Sequence, residues 1–141
     1  MISLRHAGIV VENIEKSIKL YRDCFGFEIV WDEIEKGTFI DEILGTEGVE
    51  VRTVKMKDKK SGIIELLQYY SHSPVKFDNS LIQIGCTHLA FTVKDLNKVL
   101  NDLKGLGLAF VSDPKISDNG KAKVCFCRDF DGNFLELVEE L

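Results

Sequence analysis

Four residues of this chain have types and spacings that suit chemistry: His6, Glu65, His88 and Glu136. Each lies in an apolar run with the alternation of a strand, where side chains two apart share a face. Glu136, in "FLELV", therefore shares a face with Phe134 and Val138, and Glu65, in "IIELL", with Ile63, Leu67 and Tyr69. By the same rule His6 lies with Leu4, Gly8 and Val10, and His88 with Cys86, Ala90 and Thr92. A carboxylate on an inward face must be paired, protonated or bound to a metal, because burying it charged and alone is costly. Two such carboxylates close together repel, so that one would hold a proton. A divalent cation removes that conflict, and two imidazoles with two carboxylates suit zinc, nickel, cobalt, manganese or iron. Such a set leaves coordination positions for water or substrate, which is the mark of a catalytic rather than a structural centre.

The elements that must position these residues are legible from periodicity. A strand is expected over residues 4–11, followed by a helix capped by Asn13 with Ile14, Ile18 and Tyr21 on one face, and Gly26 soon after its end. Strands are expected over 27–33, 49–56 and 63–69, the last two joined by the polar turn "KDKKSG". The order then recurs. A strand over 86–93 precedes a helix capped by Asp95 with Leu96, Val99, Leu100 and Leu103 inward, and Gly105 and Gly107 end it. Strands over 108–111, 121–128 and 133–139 complete the second half.

Laying His6 over His88 aligns Val11 with Val93, Asn13 with Asp95, and Ile14, Ile18 and Tyr21 with Leu96, Leu100 and Leu103. Each half supplies one imidazole and one carboxylate. Taken singly, an inward histidine is more often a hydrogen-bonded core residue than a ligand. Four polar residues at equivalent places in a repeat are harder to explain that way. Such repeats suggest modules whose half-open sheets complete one another. The expected organisation is one domain over 1–141, with module 1 at about 1–70, a linker over 71–84 and module 2 at about 85–141. Glu65 lies 59 residues after His6 whereas Glu136 lies 48 after His88, so the first half carries eleven more residues. They fall within 36–48, read either as a lid over the site or as a surface excursion packing Phe39, Ile40, Ile43 and Leu44.

A net charge of −5 disfavours nucleic acid and anionic membrane as partners. No apolar run approaches the roughly 20 residues of a membrane-spanning helix, and "MISLRHAGIV" lacks the regions of a signal peptide. The expectation is a soluble cytoplasmic protein acting on a small molecule. The four cysteines follow neither a disulfide framework nor a zinc ribbon. Cys125 and Cys127 share a strand face, but no second pair completes a thiolate site, so both are read as small buried hydrophobes. His72 is read as solvated, and Asp129 and Asp131 as turn formers before the last strand.

The segments "HAGIVVENIEKSIKLYRDCFGFEIV", "GIIELLQY", "CTHLAFTVKDLNKVLNDLKGLG" and "RDFDGNFLELVE" together resemble the vicinal oxygen chelate superfamily over nearly the full length. That family includes glyoxalase I, methylmalonyl-CoA epimerase, extradiol dioxygenases and the fosfomycin and bleomycin resistance proteins. The resemblance implies an α+β fold of two tandem βαβββ modules forming a cupped mixed sheet around a metal held by His6, Glu65, His88 and Glu136. It also implies a homodimer, which is usual in the family. An acid at Glu65 leans toward the glyoxalase and epimerase members, since the dioxygenases and fosfomycin enzymes typically have no carboxylate there. Bacterial-type glyoxalase I usually carries an arginine and an asparagine, both contacting glutathione, where this chain has Val10 and Tyr69.

The expected reaction is proton transfer at carbon alpha to a carbonyl of a substrate chelated through neighbouring oxygens, a glyoxalase-like lyase or an isomerase/epimerase. Glu136 is assigned as the base and Glu65 as the partner that returns the proton, with Glu42 of the 36–48 segment as a weaker candidate base. Leu67, Tyr69, Phe126 and Phe134 are candidate pocket residues. The rivals are an extradiol-type dioxygenase and a non-catalytic small-molecule binding module of the antibiotic-resistance type.

Overall fold

Each half of the chain lays one helix across one face of a four-stranded sheet, and a capping side chain decides where that helix starts. The computed structural model describes residues 1–76 and 78–141. It divides into two compact units, Met1–Lys76 and Phe77–Leu141. Of the expected 71–84 linker, Phe77 lies outside the described residues.

In the first unit the strand order is β1-β4-β3-β2. Strand β1 (Ala7–Val10) runs parallel to β4 (Ile63–Tyr69), which is antiparallel to β3 (Glu50–Lys57), itself antiparallel to β2 (Glu28–Lys36). Helix α1 (Ile14–Lys19) begins where the Asn13 side chain accepts the Lys16 N–H at 3.2 Å, and it continues as a π-helical turn over Leu20–Cys24. Gly26 follows at φ 73°, a conformation that favours glycine. Ile14, Ile18 and Tyr21 are buried together with Ile9, Val54, Met56, Ile64 and Leu66 from the sheet. Burying side chains of this size contributes about 1.5–3 kcal/mol each.

The second unit repeats the plan with order β5-β8-β7-β6. Strand β5 (His88–Val93) is parallel to β8 (Phe134–Glu140), β8 is antiparallel to β7 (Ala122–Arg128), and β6 (Lys115–Ile116) closes the edge. Asp95 caps α3 (Leu96–Gly105) by accepting the Lys98 N–H at 2.9 Å. Leu96, Leu100 and Leu103 are buried with Cys125, Cys127, Leu135 and Leu137, while Val99 is only half-buried. The α+β class and the repeated strand, helix and three-strand order are as expected.

Several expected boundaries shift. Strand β1 starts at Ala7, and Leu4 is exposed with no strand partner to pack on. Strand β5 starts at His88 rather than Cys86. The strand expected over 108–111 is reduced to a bridge between Phe110 and Cys127, and the edge is supplied instead by the two residues of β6. The 36–48 segment contains a helix, α2 (Thr38–Leu44), started by Gly37 at φ 105° and ended by Gly45 at φ 62°. Ile40 alone among its large apolar residues is buried, against Val49, Val51, Leu67 and Tyr69. Phe39, Ile43 and Leu44 are exposed, which corrects the expectation that all four pack inward.

A second level of the repeat concerns how each sheet holds its helix. The Ile14 N–H donates to Gln68 Oε1 at 2.9 Å, and the Leu96 N–H donates to Glu139 Oε2 at 2.8 Å. Each residue sits three positions after the closing-strand glutamate of its module. The first N–H groups of a helix have no partner within it, so the closing strand satisfies one. Gln68→Ala and Glu139→Ala are each expected to cost about 1 kcal/mol in urea melts. No loss in either variant would contradict this role.

No helix among the described residues is long and apolar enough to cross a membrane.

Candidate active site

Helices α1 and α3 each cover one face of their sheet, and the four singled-out residues belong to the other. In the first unit the parallel register sets Gly8 beside Glu65, and the antiparallel register sets Lys55 on its other side. His6 stands immediately before β1, with Nε2 3.4 Å from Glu65 Oε1. Lys55 Nζ lies 3.6 Å from Glu65 Oε2 and 4.5 Å from the Trp31 ring centroid. Glu65 is thus held from two sides.

In the second unit Ala90 and Phe126 flank Glu136 in register, and His88 opens β5 beside Phe134. His88 Nε2 is 3.3 Å from Glu136 Oε2. The Phe126 ring meets the imidazole edge-on at 5.3 Å between centroids, and His88 Nδ1 contacts Thr87 Oγ1 at 2.8 Å. Thr87 thus holds one ring nitrogen and Glu136 faces the other, so the imidazole is oriented from both sides. Lys55 and Phe126 occupy matching positions of the repeat, so the modules are alike in the histidine and carboxylate and different in what braces them.

The structure therefore brings together His6 with Glu65, and His88 with Glu136, in equivalent pairs. None of the four is fully buried: side-chain exposure is 27% and 15% for the first pair and 36% and 25% for the second. The expected burial is only partial, although this face is not bare: α2 lies over part of it in the first unit, where Ile40 packs on Val51, Leu67 and Tyr69, and Phe134 is buried on it in the second. Among the described residues, no three or more His, Cys, Asp or Glu side chains form a group that could hold a metal ion.

The donor sets can be compared with what a cation demands. Two ligand atoms bound at about 2.1 Å with angles between octahedral and tetrahedral stand roughly 3.0–3.4 Å apart. The observed separations, 3.4 and 3.3 Å, are of that size. Each pair thus has the spacing of two neighbouring donors to a divalent cation, which is also that of a histidine–carboxylate ion pair.

The remaining candidates separate clearly. Leu67 and Tyr69 pack on the Ile40 cluster, Phe126 touches the His88 ring, and Phe134 is buried beneath the Arg128 guanidinium. Glu42 is exposed on α2. His72 is exposed and contacts Ser71 Oγ. Asp129 forms the turn before β8 by accepting the N–H groups of Asp131 and Asn133 and the Asn133 side-chain amide. Burial pushes its carboxyl pKa up, and the Asn133 bonds oppose that shift.

Cys125 and Cys127 face the helix side. Burial raises both thiols, Cys127 to about 12, with the neighbouring Asp113 adding to the shift at Cys125. Neither is available as a thiolate near neutral pH. Alkylation of the native protein at pH 8 is expected to label exposed Cys86 first and partly exposed Cys24 next, with Cys125 and Cys127 reacting only after denaturation. Peptide mapping that finds Cys127 labelled in the folded protein would contradict this burial.

Sequence reasoning passed over Lys55, Gln68, Glu139 and Arg128. Repeat spacing was the available signal for Gln68 and Glu139. For Lys55 and Arg128, neighbours across strands matter, and no local pattern announces them.

The model of the Glyoxalase/Bleomycin resistance protein/Dioxygenase superfamily matches residues 3–137. Among curated proteins, a lactoylglutathione lyase of Schizosaccharomyces pombe is 27% identical over 97% of this chain and 47% of its own length. The chain thus spans about half of that relative. A probable lactoylglutathione lyase of Synechocystis is 23% identical over 96% of this chain and 94% of its own length. Among solved structures, a glyoxalase family protein from Bacillus cereus superposes with a TM-score of 0.93 at 20% identity, covering 100% of this chain and 95% of that one. At that identity the likeness establishes the fold alone.

Proposed function

Because the chain belongs to the Glyoxalase/Bleomycin resistance protein/Dioxygenase superfamily, we propose that it is a metal-dependent, glyoxalase-like lyase or isomerase that moves a proton at carbon alpha to a carbonyl. The observation that carries this reading is the repeated imidazole–carboxylate pair on the sheet face opposite α1 in one module and α3 in the other, at separations of 3.4 and 3.3 Å. The names of the two lactoylglutathione lyase relatives support the lyase side.

In this reading His6, Glu65, His88 and Glu136 hold one divalent cation, zinc, nickel, cobalt, manganese or iron. Held there, such a cation would supply Lewis acidity to the substrate carbonyl. The chain's own carboxylates do the proton transfer. Glu136 takes the alpha proton, since no ammonium group braces it among the described residues, whereas Glu65 is tethered by Lys55 at 3.6 Å. Glu65 returns a proton from the opposite face. A base has to lie within hydrogen-bond reach of the proton it removes, so the substrate carbon would have to stand beside the Glu136 carboxylate.

The substrate contacts usual for glutathione are replaced. Val10 is exposed and Tyr69 packs against the α2 cluster, so neither presents a charged or amide group to a tripeptide. Candidate substrates therefore include 2-oxo thioesters as well as thiohemiacetals. Cytoplasmic location, a single domain over 1–141 and homodimerisation belong to the same proposal.

The test is alpha-deuterium exchange in heavy water with the metal-loaded protein and both substrate classes. Exchange into either class is the expected result. Its absence from both, with metal bound, would leave the sequestering module as the better reading, and oxygen uptake with a catechol would turn it to the dioxygenase.

A further inference from the structure

A cavity of about 380 Å³ opens in the second unit, lined by Asn79, Leu81, Phe110, Val111, Arg128 and Phe134 among others. Register fixes its relation to the second imidazole–carboxylate pair: Arg128 lies opposite Phe134, and Phe134 beside His88. The row His88, Phe134, Arg128 thus crosses three strands on the face that carries Glu136. Two interstrand spacings put Arg128 about 10 Å from His88 at the backbone.

The guanidinium is fixed in place but not neutralised. Its carbon lies 4.1 Å from the Phe134 ring centroid, a stacked arrangement. Nη1 donates to the Gly132 carbonyl at 3.1 Å and Nη2 to the Asn79 carbonyl at 3.3 Å. Those acceptors are neutral, and a guanidinium has five N–H groups, so donors and charge remain. Among the described residues no carboxylate stands within ion-pair distance of it. A planar fork held by an aromatic ring and two carbonyls loses little freedom on meeting a bidentate oxyanion. Leu81, Ala109, Phe110 and Val111 supply apolar wall, beside the polar Asn79 and Ser80.

We propose that this cavity binds the carboxylate end of an organic monoanion whose apolar segment lies against Phe110, Leu81 and Val111. One guanidinium matches one negative charge. Joined to the functional reading above, on which this step rests, it makes the substrate handled at His88 and Glu136 an organic acid with its carboxylate remote from the reacting carbon. Binding at the cavity itself does not depend on that reading.

Calorimetric titration of the metal-free full chain with 4-phenylbutyrate and its neutral analogue 4-phenylbutyramide tests the proposal. The acid is expected to bind at least about tenfold more tightly than the amide, as a charge-assisted bidentate contact implies. Arg128→Gln should erase that preference and Arg128→Lys keep only part of it, because an ammonium lacks the fork. Leu81→Asp, which offers Arg128 an internal carboxylate, should also erase it, and decides the matter if Arg128→Gln does not fold. Equal binding of acid and amide by the unaltered protein would overturn the proposal. So would an acid preference that survives in a folded Arg128→Gln or Leu81→Asp protein. A negative result here with alpha-proton exchange intact removes the anion site alone, whereas carboxylate binding without exchange removes the proton-transfer reading alone.

Discussion

Glu136→Gln is expected to slow alpha-proton exchange by on the order of a thousandfold, within the range attributed to a positioned general base. The amide keeps the volume and one acceptor oxygen of the carboxylate, and Leu135 and Leu137, which anchor β8 under α3, are untouched. Thermal stability should therefore change little, which separates a chemical loss from a folding loss. Glu65→Gln should also impair turnover, with the difference between the two reporting which carboxylate removes the proton and which returns it. Wild-type exchange in the Glu136→Gln protein would place the base elsewhere, and Glu42, exposed on α2, would be the first residue to try.

The second large effect concerns the imidazoles. His6→Ala and His88→Ala are each expected to weaken divalent-cation affinity by more than about 100-fold, since loss even of an outer-shell partner costs 10–100-fold. The two variants should suffer comparably, because the residues occupy matching positions of the repeat and each contacts its module's carboxylate. Competition titration with a chromogenic chelator measures this. A histidine whose removal leaves affinity unchanged would show that its module supplies no ligand.

Much of this architecture is written in local pattern. Asn13 and Asp95 announce both helix starts because a capping oxygen acts within three residues, and both accept the N–H expected of them. The pairing of His6 with Glu65 and of His88 with Glu136 follows from strand parity once the repeat is recognised. What local pattern does not encode is which side of a sheet its capped helix covers. Alternation identifies the shared face of Ile63, Glu65 and Leu67 but does not reveal that the helix lies over Ile64 and Leu66, so the expected deep burial of the carboxylates is only partial. The edge of the second sheet was equally hard to foresee, since "LAFV" has strand propensity yet makes one bridge, at Phe110. Propensity describes fitness for a pleated surface, and the pairing partner decides whether it is used. Lys55 beside Glu65 and Arg128 over Phe134 depend on cross-strand register, which no single segment contains.

Binding of one divalent cation by His6, Glu65, His88 and Glu136 is the claim on which the proposed chemistry turns, and X-ray absorption on the cobalt-reconstituted protein tests it most directly. The account predicts about one metal per chain, with two imidazole nitrogens and oxygen donors in its shell. Fewer than about a tenth of a metal per chain after reconstitution, or a shell containing a single imidazole, would contradict it.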